Sequence, residues 1–556
     1  MVGVLRRHPD LSVLNTEAVA AALMLERRWY SVLRRQVGSS QQRSLSKRSH
    51  SGQSTSPRRY GGGREAAERG NDVGMAAATH GHVGLPDRRD ALLIEDLLVG
   101  IVGPTNVDRG LDIHEEATHD EALGGSPVRP LAVVRPGSTE QVAAIVKAAA
   151  SEGVPLTARG SGTGLSGACV PVDGGVVVSF ERMNRILEID TANHVAVVEP
   201  GVTLADLDTA LLPSGLIYPV FPGEQSASIG GNVATNAGGM RAVKYGVTRH
   251  HVLGIEAVLG TGEVITTGGK FVKSTSGYDL TQLVIGSEGT LALVTRATLR
   301  LHPRPENHAT LLAPFATVHE IAEAVPPIVS SGIGPLLVEY IDLVSMAGIT
   351  ANAGIDLGIP DDVKGRALAY LVVVLENHHL ARLEEDVQVL AEQIAKLGAL
   401  EVYVLPDHAG TQLISARERA FWASKANGAD DIVDVVVPRA SIPTYLDAVG
   451  ELASATSSLV VGCGHVGDGN VHLSIWQSDP DVRHRLVHDI VVSGLSLGGA
   501  ISGEHGIGRL KRPYLTDLED PSKLELMRRI KSAFDPHGVL NPGAIFEPAI
   551  APGPGR

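Results

Sequence analysis

Short apolar stretches and amphipathic stretches alternate along most of the chain, and they predict strands and helices in turn. Residues 131–134 and 154–158 have the composition of buried strands. Between them, Ser138 and Gln141 form a capping-box pattern that is followed by apolar residues at helical spacing. Further Val- and Ile-rich strands, with a helix beginning near Leu204, extend to about residue 302. The pattern predicts an α+β domain.

A second region with the same alternation covers residues 305–480. Its clearest helix spans 380–397, with charged residues on one face and four apolar residues on the other: Leu383, Val387, Leu390 and Ile394. We therefore expect a second domain with a mixed sheet and flanking helices. Its predicted strands are 336–341, 368–375, 402–405, 432–437 and 459–463, and later helical stretches lie near 482–497 and 524–534.

The first 74 residues differ from the rest of the chain. They hold 13 Lys or Arg against 6 Asp or Glu, a net charge of +7, so the remainder carries −21. Residues 36–70 are rich in Ser, Gly, Arg and Gln without a hydrophobic period, which predicts disorder. We expect the start of the given sequence to lie too far upstream, so that residues 1–74 are not part of the working protein, which begins at Met75. An organellar transit peptide is the alternative. Residues 75–129 are expected to form an N-terminal helical segment.

Composition excludes several classes of protein. A length of 556 residues favours two or three domains, and 43% hydrophobic with 20% charged residues excludes a wholly disordered chain. No stretch has the roughly 18 uncharged apolar residues of a transmembrane helix. Two cysteines exclude a disulfide scaffold and a four-cysteine metal site, and a net charge of −14 argues against nucleic-acid binding. We expect a soluble, cytoplasmic enzyme.

Three glycine-rich clusters follow the predicted strands of the first domain. In residues 159–167, four glycines and three hydroxyl residues allow backbone N–H groups to surround an anion such as a pyrophosphate. The alternative is an ordinary tight loop. Glu181 follows the glycine loop at about the distance at which a dinucleotide-binding motif places its acidic residue. The spacing of the glycines differs from that motif, however, and the segment between the loop and Glu181 has no room for the required helix. The loop therefore disfavours NAD. With the clusters at 228–239 and 274–291, the loop predicts one extended cofactor groove.

A histidine cluster lies near the other end of the chain. Residues 464–472 predict a hairpin whose turn brings His465 and His472 close together. Further on, Glu504 and His505 occupy a glycine-flanked loop. Two histidines and a glutamate form a ligand set for a divalent metal such as zinc with one position left open, and iron or manganese would also suit it. The alternative is that these are structural or exposed members of the chain's 21 histidines.

Two residues near the histidines have simpler explanations. Asp468 could be a fourth ligand, although its place in a Gly-Asp-Gly-Asn turn explains it equally well. Cys463 lies on an apolar strand, where a single cysteine usually packs in the core.

The strings Gly-Gly-Asn-Val-Ala-Thr-Asn-Ala-Gly-Gly and Gly-Ser-Glu-Gly-Thr-Leu closely resemble those of the FAD-linked oxidases with a vanillyl-alcohol-oxidase-type (PCMH-type) FAD-binding domain, in the branch of D-lactate dehydrogenase and the glycolate oxidase large subunit. The resemblance runs from about residue 130 to 546. It implies an FAD-binding domain at 130–304, a cap or substrate domain at 305–480 and a C-terminal helical segment at 481–548 that returns to the flavin and completes the active site.

The resemblance also implies the cofactor contacts. Several relatives attach FAD through a histidine where this chain has Thr163, so we expect non-covalent FAD. The implied FAD-binding residues are Arg159, Gly160, Ser161, Gly162, Thr163, Gly164, Ser166, Gly223, Gly231, Asn232, Thr235, Asn236, Gly239 and Asn541.

In the D-2-hydroxyacid dehydrogenases of this branch, the HxGDGNxH and Gly-Glu-His-Gly-Ile-Gly strings carry the active site. By that resemblance His465, His472 and Glu504 match the metal ligands, and His505 matches the general base. Arg417, in a helical stretch, matches the arginine that holds the substrate carboxylate. A solvated helix arginine is the alternative, and Arg419 is a competing candidate.

These features predict an FAD-dependent dehydrogenase of D-2-hydroxy acids, most simply D-lactate. One alternative is the flavin subunit of a multi-subunit glycolate oxidase, which would need an iron–sulfur partner because this chain lacks cluster cysteines. A D-2-hydroxyglutarate dehydrogenase is disfavoured by Ser474 and Ile432, where an amide and a lysine are expected. A flavin-binding electron carrier is a further alternative that would not need the metal and base residues. No motif indicates the electron acceptor, and a homodimer, partner subunits, peripheral membrane attachment and organellar import remain open.

Overall fold

The computed structural model describes residues 88–547. The predicted basic extension, residues 1–74, lies outside the described residues, as do residues 75–87 of the predicted N-terminal segment. The described part of that segment is not only helical, because after its first helix a short strand, Val107–Arg109, pairs with Ala132–Val134. Three residues are too few to show the alternation of apolar and polar positions that predicts a strand, which explains why this strand was not predicted.

The first domain, residues 88–303, contains six α-helices and eleven strands among its described residues. Side-chain caps begin several of its helices: Ser138 accepts a hydrogen bond from the Gln141 N–H, and Thr203 accepts one from Asp206. The helices are α1 (Arg88–Val102), α2 (Thr139–Glu152), α3 (Leu204–Leu211), α4 (Ile229–Thr235), α5 (Ala242–Tyr245) and α6 (Leu280–Val284). The strands are β1 (Val107–Arg109), β2 (Ala132–Val134), β3 (Leu156–Arg159), β4 (Val176–Ser179), β5 (Ile186–Asp190), β6 (Val195–Val198), β7 (Leu216–Ile217), β8 (Val252–Leu259), β9 (Val264–Gly268), β10 (Ala292–Arg300) and β11 (His302–Pro303).

Two main sheets form this domain. The first has the order β1-β2-β4-β3, with β2, β4 and β3 parallel, and α1 and α2 bury their apolar faces against it. The second is antiparallel with the order β5-β6-β10-β8-β9, and β7 pairs with β11 as a separate ribbon. The glycine loop after β3 and helix α4 lie on the side that faces the second domain.

The second domain is built on one antiparallel sheet of seven strands, β15-β12-β14-β13-β17-β18-β16. The predicted boundary at 304/305 falls between β11 and β12. Its strands are β12 (Asn307–Phe315), β13 (Leu337–Asp342), β14 (Ala369–Asn377), β15 (Tyr403–Leu405), β16 (Asp431–Val436), β17 (Leu459–Gly464) and β18 (Asn470–Trp476). Its helices are α7 (Val318–Val329), α8 (Leu343–Ala353), α9 (Asp361–Lys364), α10 (Leu380–Lys396), α11 (Asp407–Glu418), α12 (Ala420–Ala426) and α13 (Ile442–Thr456).

The chain ends by returning to the first domain. Helices α14 (Pro480–Ser496), α15 (Arg512–Leu518) and α16 (Pro521–Phe534) follow the large sheet. Leu540 then forms a parallel bridge with Leu156, which extends the edge of β3. The α+β fold class is therefore confirmed. Among the residues that the structure describes, no helix combines the length and hydrophobicity of a membrane span.

Candidate active site

The large sheet presents its two faces to different surroundings. Val433, Val435 and Leu473 lie on the face covered by α7, α10, α13 and α14. Side chains alternate between the two faces along a strand, so the residues at the intervening positions of the same strands face the first domain. On that face Cys463, His472 and Asp434 lie side by side on three neighbouring strands. The alternation therefore places polar side chains in a row above the glycine loops.

The β17–β18 hairpin brings the two predicted metal-binding histidines together, as its sequence indicates. The ring centroids of His465 and His472 are 4.8 Å apart. Both Nε2 atoms approach one oxygen of Glu504, at 3.0 Å for His465 and 3.2 Å for His472. Ligand atoms around a tetrahedral ion with bonds of about 2.0 Å are separated by about 3.3 Å. Each nitrogen thus lies at a distance from the carboxylate oxygen that would suit a divalent metal, and the residue types would suit one too.

A buried carboxylate lies beside the other nitrogen of each ring. Glu339 Oε1 lies 2.6 Å from His465 Nδ1, and Asp434 Oδ1 lies 3.4 Å from His472 Nδ1. Metal-binding histidines commonly have such a carboxylate behind them, which fixes the ring orientation. Neither acid was among the predicted site residues. Each stands between two apolar residues inside a strand, and an acid in that setting indicates a buried charge with a partner.

Charges in this cluster are strongly coupled. Burial alone would raise the pKa of Glu504, but His465 and His472 hold it well below its ordinary value. Burial likewise opposes ionisation of Glu339, and the positive charges of His465 and Arg417 lower its pKa. Burial would lower the pKa of His465, yet Glu339 and Glu504 raise it far above the usual value. Such a cluster of negative charge around two imidazoles favours a cation at its centre.

His505 lies beside the predicted metal ligands, on the loop that carries Glu504. Its ring stacks on His472 at 5.0 Å between centroids, with an interplanar angle of 8°. Burial lowers the pKa of His505 to about 4, so the ring is neutral at pH 7. The carboxylate of Asp434 fixes the loop, since Oδ2 accepts the backbone N–H groups of Glu504 at 2.9 Å and His505 at 2.8 Å.

Four residues of the site have potential ligand atoms within 4.8 Å of one another: Asp434, His472, Glu504 and His505. Asp434 is already engaged, because Oδ1 accepts a hydrogen bond from Asn470 and Oδ2 accepts three, from Ser502 and the two backbone amides. It therefore anchors the site. Asp468 lies in the hairpin turn, and burial raises its pKa to about 7.

Arg417 lies in the last turn of α11 and is 7% exposed. Its Nη2 is 3.0 Å from Glu339 Oε2, so one carboxylate contacts both Arg417 and His465. Arg417 lines the cavity next to the histidines, whereas Arg419 follows the end of the helix and does not line it. Among the described cavity residues, Arg417 is the one with a permanent positive charge.

This cavity extends from the histidines to the glycine clusters of the first domain. Ten of the predicted FAD-binding residues line it: Gly160, Ser161, Gly162, Thr163, Gly164, Ser166, Gly223, Gly231, Asn232 and Thr235. Within the glycine clusters that line it, three buried polar atoms have no hydrogen-bond partner in the protein: Ser166 Oγ, Asn232 Nδ2 and Ser287 Oγ. Unpartnered buried polar atoms are costly, so their presence fits a long, polar ligand such as FAD.

Four predicted FAD-binding residues lie behind the cavity wall instead. Arg159 donates to the carbonyl of His119, and the Asn236 side chain accepts the N–H of Arg249. Gly239 forms a bridge with Phe221 so close that a Cβ would lie 1.8 Å from the Phe221 carbonyl oxygen. The Asn541 amide donates to the carbonyl oxygens of Ala168 and Glu288. These contacts shape the wall that the other ten residues form.

The other glycine clusters differ in their placement. Residues 229–235 form helix α4, capped by Ser228, although their glycines indicate a loop. In the third cluster, Ser287, Glu288 and Gly289 line the cavity, while Tyr278 is 96% exposed. The groove is therefore built from the loop after β3, helix α4 and the turn before β10.

Family models match most of the described chain. A model of the C-terminal domain of FAD linked oxidases matches residues 304–545, and a model of an FAD binding domain matches residues 130–268. Of the solved structures, 4-ethylphenol oxidase from Gulosibacter chungangensis aligns with a TM-score of 0.69 at 21% identity, covering 84% of this chain and 99% of that one. That likeness concerns the fold.

Relatives found by sequence share a higher identity with this chain than that solved structure does. An uncharacterised FAD-linked oxidoreductase of Mycobacterium tuberculosis is 56% identical over 446 residues, which is 80% of this chain and 97% of the relative. The glycolate oxidase subunit GlcD of Bacillus subtilis is 36% identical, covering 82% and 96%. A D-lactate dehydrogenase of Anaerostipes hadrus is also 36% identical, covering 80% and 95%. The chain therefore belongs to the FAD-linked oxidases and is an FAD-dependent oxidoreductase with a vanillyl-alcohol-oxidase-type FAD-binding domain.

Proposed function

We propose that this protein oxidises a D-2-hydroxy acid, D-lactate first, to the corresponding 2-oxo acid, with non-covalent FAD and a zinc ion. The observation that carries the proposal is the convergence of His465 and His472 on Glu504, with His505 and Arg417 beside them in one cavity. The relatives named D-lactate dehydrogenase and glycolate oxidase subunit support the substrate class.

Each residue of the site has its own role in the proposed reaction. The planar guanidinium of Arg417 binds the substrate carboxylate, and Glu339 holds the guanidinium in place. His505 is neutral and accepts the proton of the substrate hydroxyl. His465, His472 and Glu504 would hold the metal. When bound, FAD would supply the hydride acceptor and the metal would polarise the substrate hydroxyl.

Charge in the cavity favours a monocarboxylate. Arg417 is the permanent cation among the described lining residues, and Ile432, Val461 and Ser474 form the neighbouring wall of the sheet. A second substrate carboxylate would be buried there without a counter-ion, which is costly. The cavity therefore supports lactate or a similar acid over 2-hydroxyglutarate.

An anaerobic titration tests the proposal. The visible spectrum of the purified protein is recorded while D-lactate, L-lactate, glycolate and D-2-hydroxyglutarate are added separately. We expect D-lactate to bleach the flavin and L-lactate to leave it oxidised. Bleaching by glycolate alone would instead favour a glycolate oxidase subunit, and a flavin that none of these acids reduces would refute the proposed reaction.

A further inference from the structure

The loop that carries Glu504 and His505 is held from both domains. On one side Asp434, from the large sheet, accepts the backbone N–H groups of these two residues. On the other side Glu288, from the first domain, accepts the N–H of Ile507 on Oε1 and the N–H of Gly508 on Oε2, both at 2.7 Å. Each of two buried carboxylates thus accepts two successive backbone N–H groups of the loop: Asp434 those of residues 504 and 505, and Glu288 those of residues 507 and 508.

The backbone of Glu288 adopts an unfavourable conformation. Its φ of 52° is left-handed, which residues with a Cβ rarely adopt, and glycine would take the same conformation at little cost. The surrounding structure holds it there, because its N–H donates to Ala234 O and its carbonyl accepts Asn541 Nδ2, both at 2.7 Å. Strain of this kind persists where other contacts over-determine the position, so the Glu288 side chain has a specific task.

Close packing leaves the loop little freedom around Glu288. A Cβ on Gly506 would lie 2.9 Å from Glu288 Oε1, and a Cβ on Gly508 would lie 2.0 Å from the Ser166 carbonyl oxygen. Glu288 also lines the FAD cavity together with its neighbours Ser287 and Gly289. The side chain therefore connects the wall of the cofactor groove to the loop of His505.

We infer that Glu288 is a positioning residue, which sets the position of His505 and Glu504 relative to the flavin. The inference rests on the proposed function of that loop. A carboxylate offers one acceptor oxygen to each amide, so both bonds form at the same time. A glutamine offers one oxygen and one NH2 group, which would face an N–H donor and lose that bond. The substitution therefore releases one end of the loop while keeping the size of the side chain.

The test compares Glu288→Gln and Glu288→Asp with wild type. The measurements are FAD content, the anaerobic rate of flavin reduction by D-lactate at several concentrations, and the metal retained after dialysis against a chelator. We expect full FAD content, a reduction rate lower by about 10- to 100-fold and weaker metal retention, because the loop also carries Glu504. The substrate dissociation constant should change less than about threefold, because Arg417 is held by Glu339.

Glu199→Gln is the matched control. Glu199 is a buried carboxylate of the first domain that accepts a backbone N–H from Arg185, and it does not line the cavity. Its substitution should leave the reduction rate and metal retention unchanged. A normal rate in Glu288→Gln, or a loss of activity that only follows loss of FAD, would overturn the inference. If Glu288→Gln does not fold, Glu288→Asp, which keeps the charge but shortens the reach, is judged by the same results. Wild type that no hydroxy acid reduces would instead refute the proposed function.

Discussion

Glu339 joins two functions in one side chain. It is fully buried, one oxygen contacts His465 and the other contacts Arg417. A buried acid is stable only while its charge is compensated, because removal of a partner leaves an uncompensated charge. The orientation of His465, the proposed metal ligand, and of Arg417, the proposed substrate-binding arginine, therefore depends on the same carboxylate.

Glu339→Gln should weaken metal binding and substrate binding together. We expect metal affinity to fall by about 10- to 100-fold. The KM for D-lactate should rise, because Arg417 loses its counter-ion. Atomic emission after dialysis and steady-state kinetics measure the two effects. Glu323→Gln, which changes an exposed acid of α7, is the control. Unchanged metal content with an unchanged KM would contradict the role of Glu339.

His505→Ala should separate cofactor binding from chemistry. FAD should stay bound, because the glycine loops that line the groove are unaffected. The rate of flavin reduction by D-lactate should fall by about 10²- to 10⁴-fold, the usual contribution of a general base. Anaerobic stopped-flow absorbance measures it. His488→Ala, at a partly exposed position of α14, is the control. A rate that survives in His505→Ala would exclude this residue as the base.

At the scale of elements, the apolar pattern located most of the second domain. Five predicted strands correspond to β13, β14, β15, β16 and β17, because their apolar runs are long enough to be recognised. Strand β12 was missed, since it begins with polar residues and contains Pro314. Helix α4 was missed because glycine and asparagine are poor helix formers, and its cap at Ser228 and its packing against β10 stabilise it instead.

Helix α10 gives a direct test of the predicted apolar stripe. Leu390 is fully buried on the face that packs against the large sheet, and its neighbour Val389 is 53% exposed. Leu390→Ala should lower the free energy of unfolding by about 2–5 kcal/mol, because it leaves a cavity. Val389→Ala should change it by less than about 0.5 kcal/mol. Urea denaturation followed by circular dichroism measures both, and equal effects would contradict the predicted orientation of the helix.

At the scale of the whole molecule, sequence motifs predict the histidines and the glutamate of the proposed site but not the residues that support them. His465, His472 and Glu504 stand in recognisable strings, and the structure brings them together. Asp434 and Glu288 act through contacts between segments that are far apart in sequence, about 70 and 220 residues from the loop they hold. Such contacts follow from how the two domains pack, which no local pattern in one sequence encodes.

The two domains also meet at a buried ion-pair cluster. Glu376, at the end of β14, accepts a hydrogen bond from Tyr245 and pairs with Lys244 at 2.9 Å, both on α5 of the first domain. His308 lies 3.6 Å away on β12. The side chain of Glu376 is 5% exposed, so solvent screens the cluster little. Burial opposes its ionisation, but hydrogen bonds from His308, Tyr245 and Lys244 lower the pKa of Glu376 from 4.5 to about 2.

This depressed pKa predicts how stability at the domain interface depends on pH. A carboxyl whose pKa is lower in the folded state stabilises the fold above its unfolded value, and the stabilisation is lost as the pH falls from about 4.5 towards about 2. A shift of this size corresponds to about 3 kcal/mol. Glu376→Gln should therefore be less stable than wild type by up to that amount at pH 7, and the difference should shrink by more than half at pH 3. Urea denaturation at a series of pH values measures it, with Glu384→Gln, at an exposed position of α10, as the control. A difference between Glu376→Gln and wild type that stays constant from pH 7 to pH 3 would show that the ionised carboxylate does not stabilise the interface.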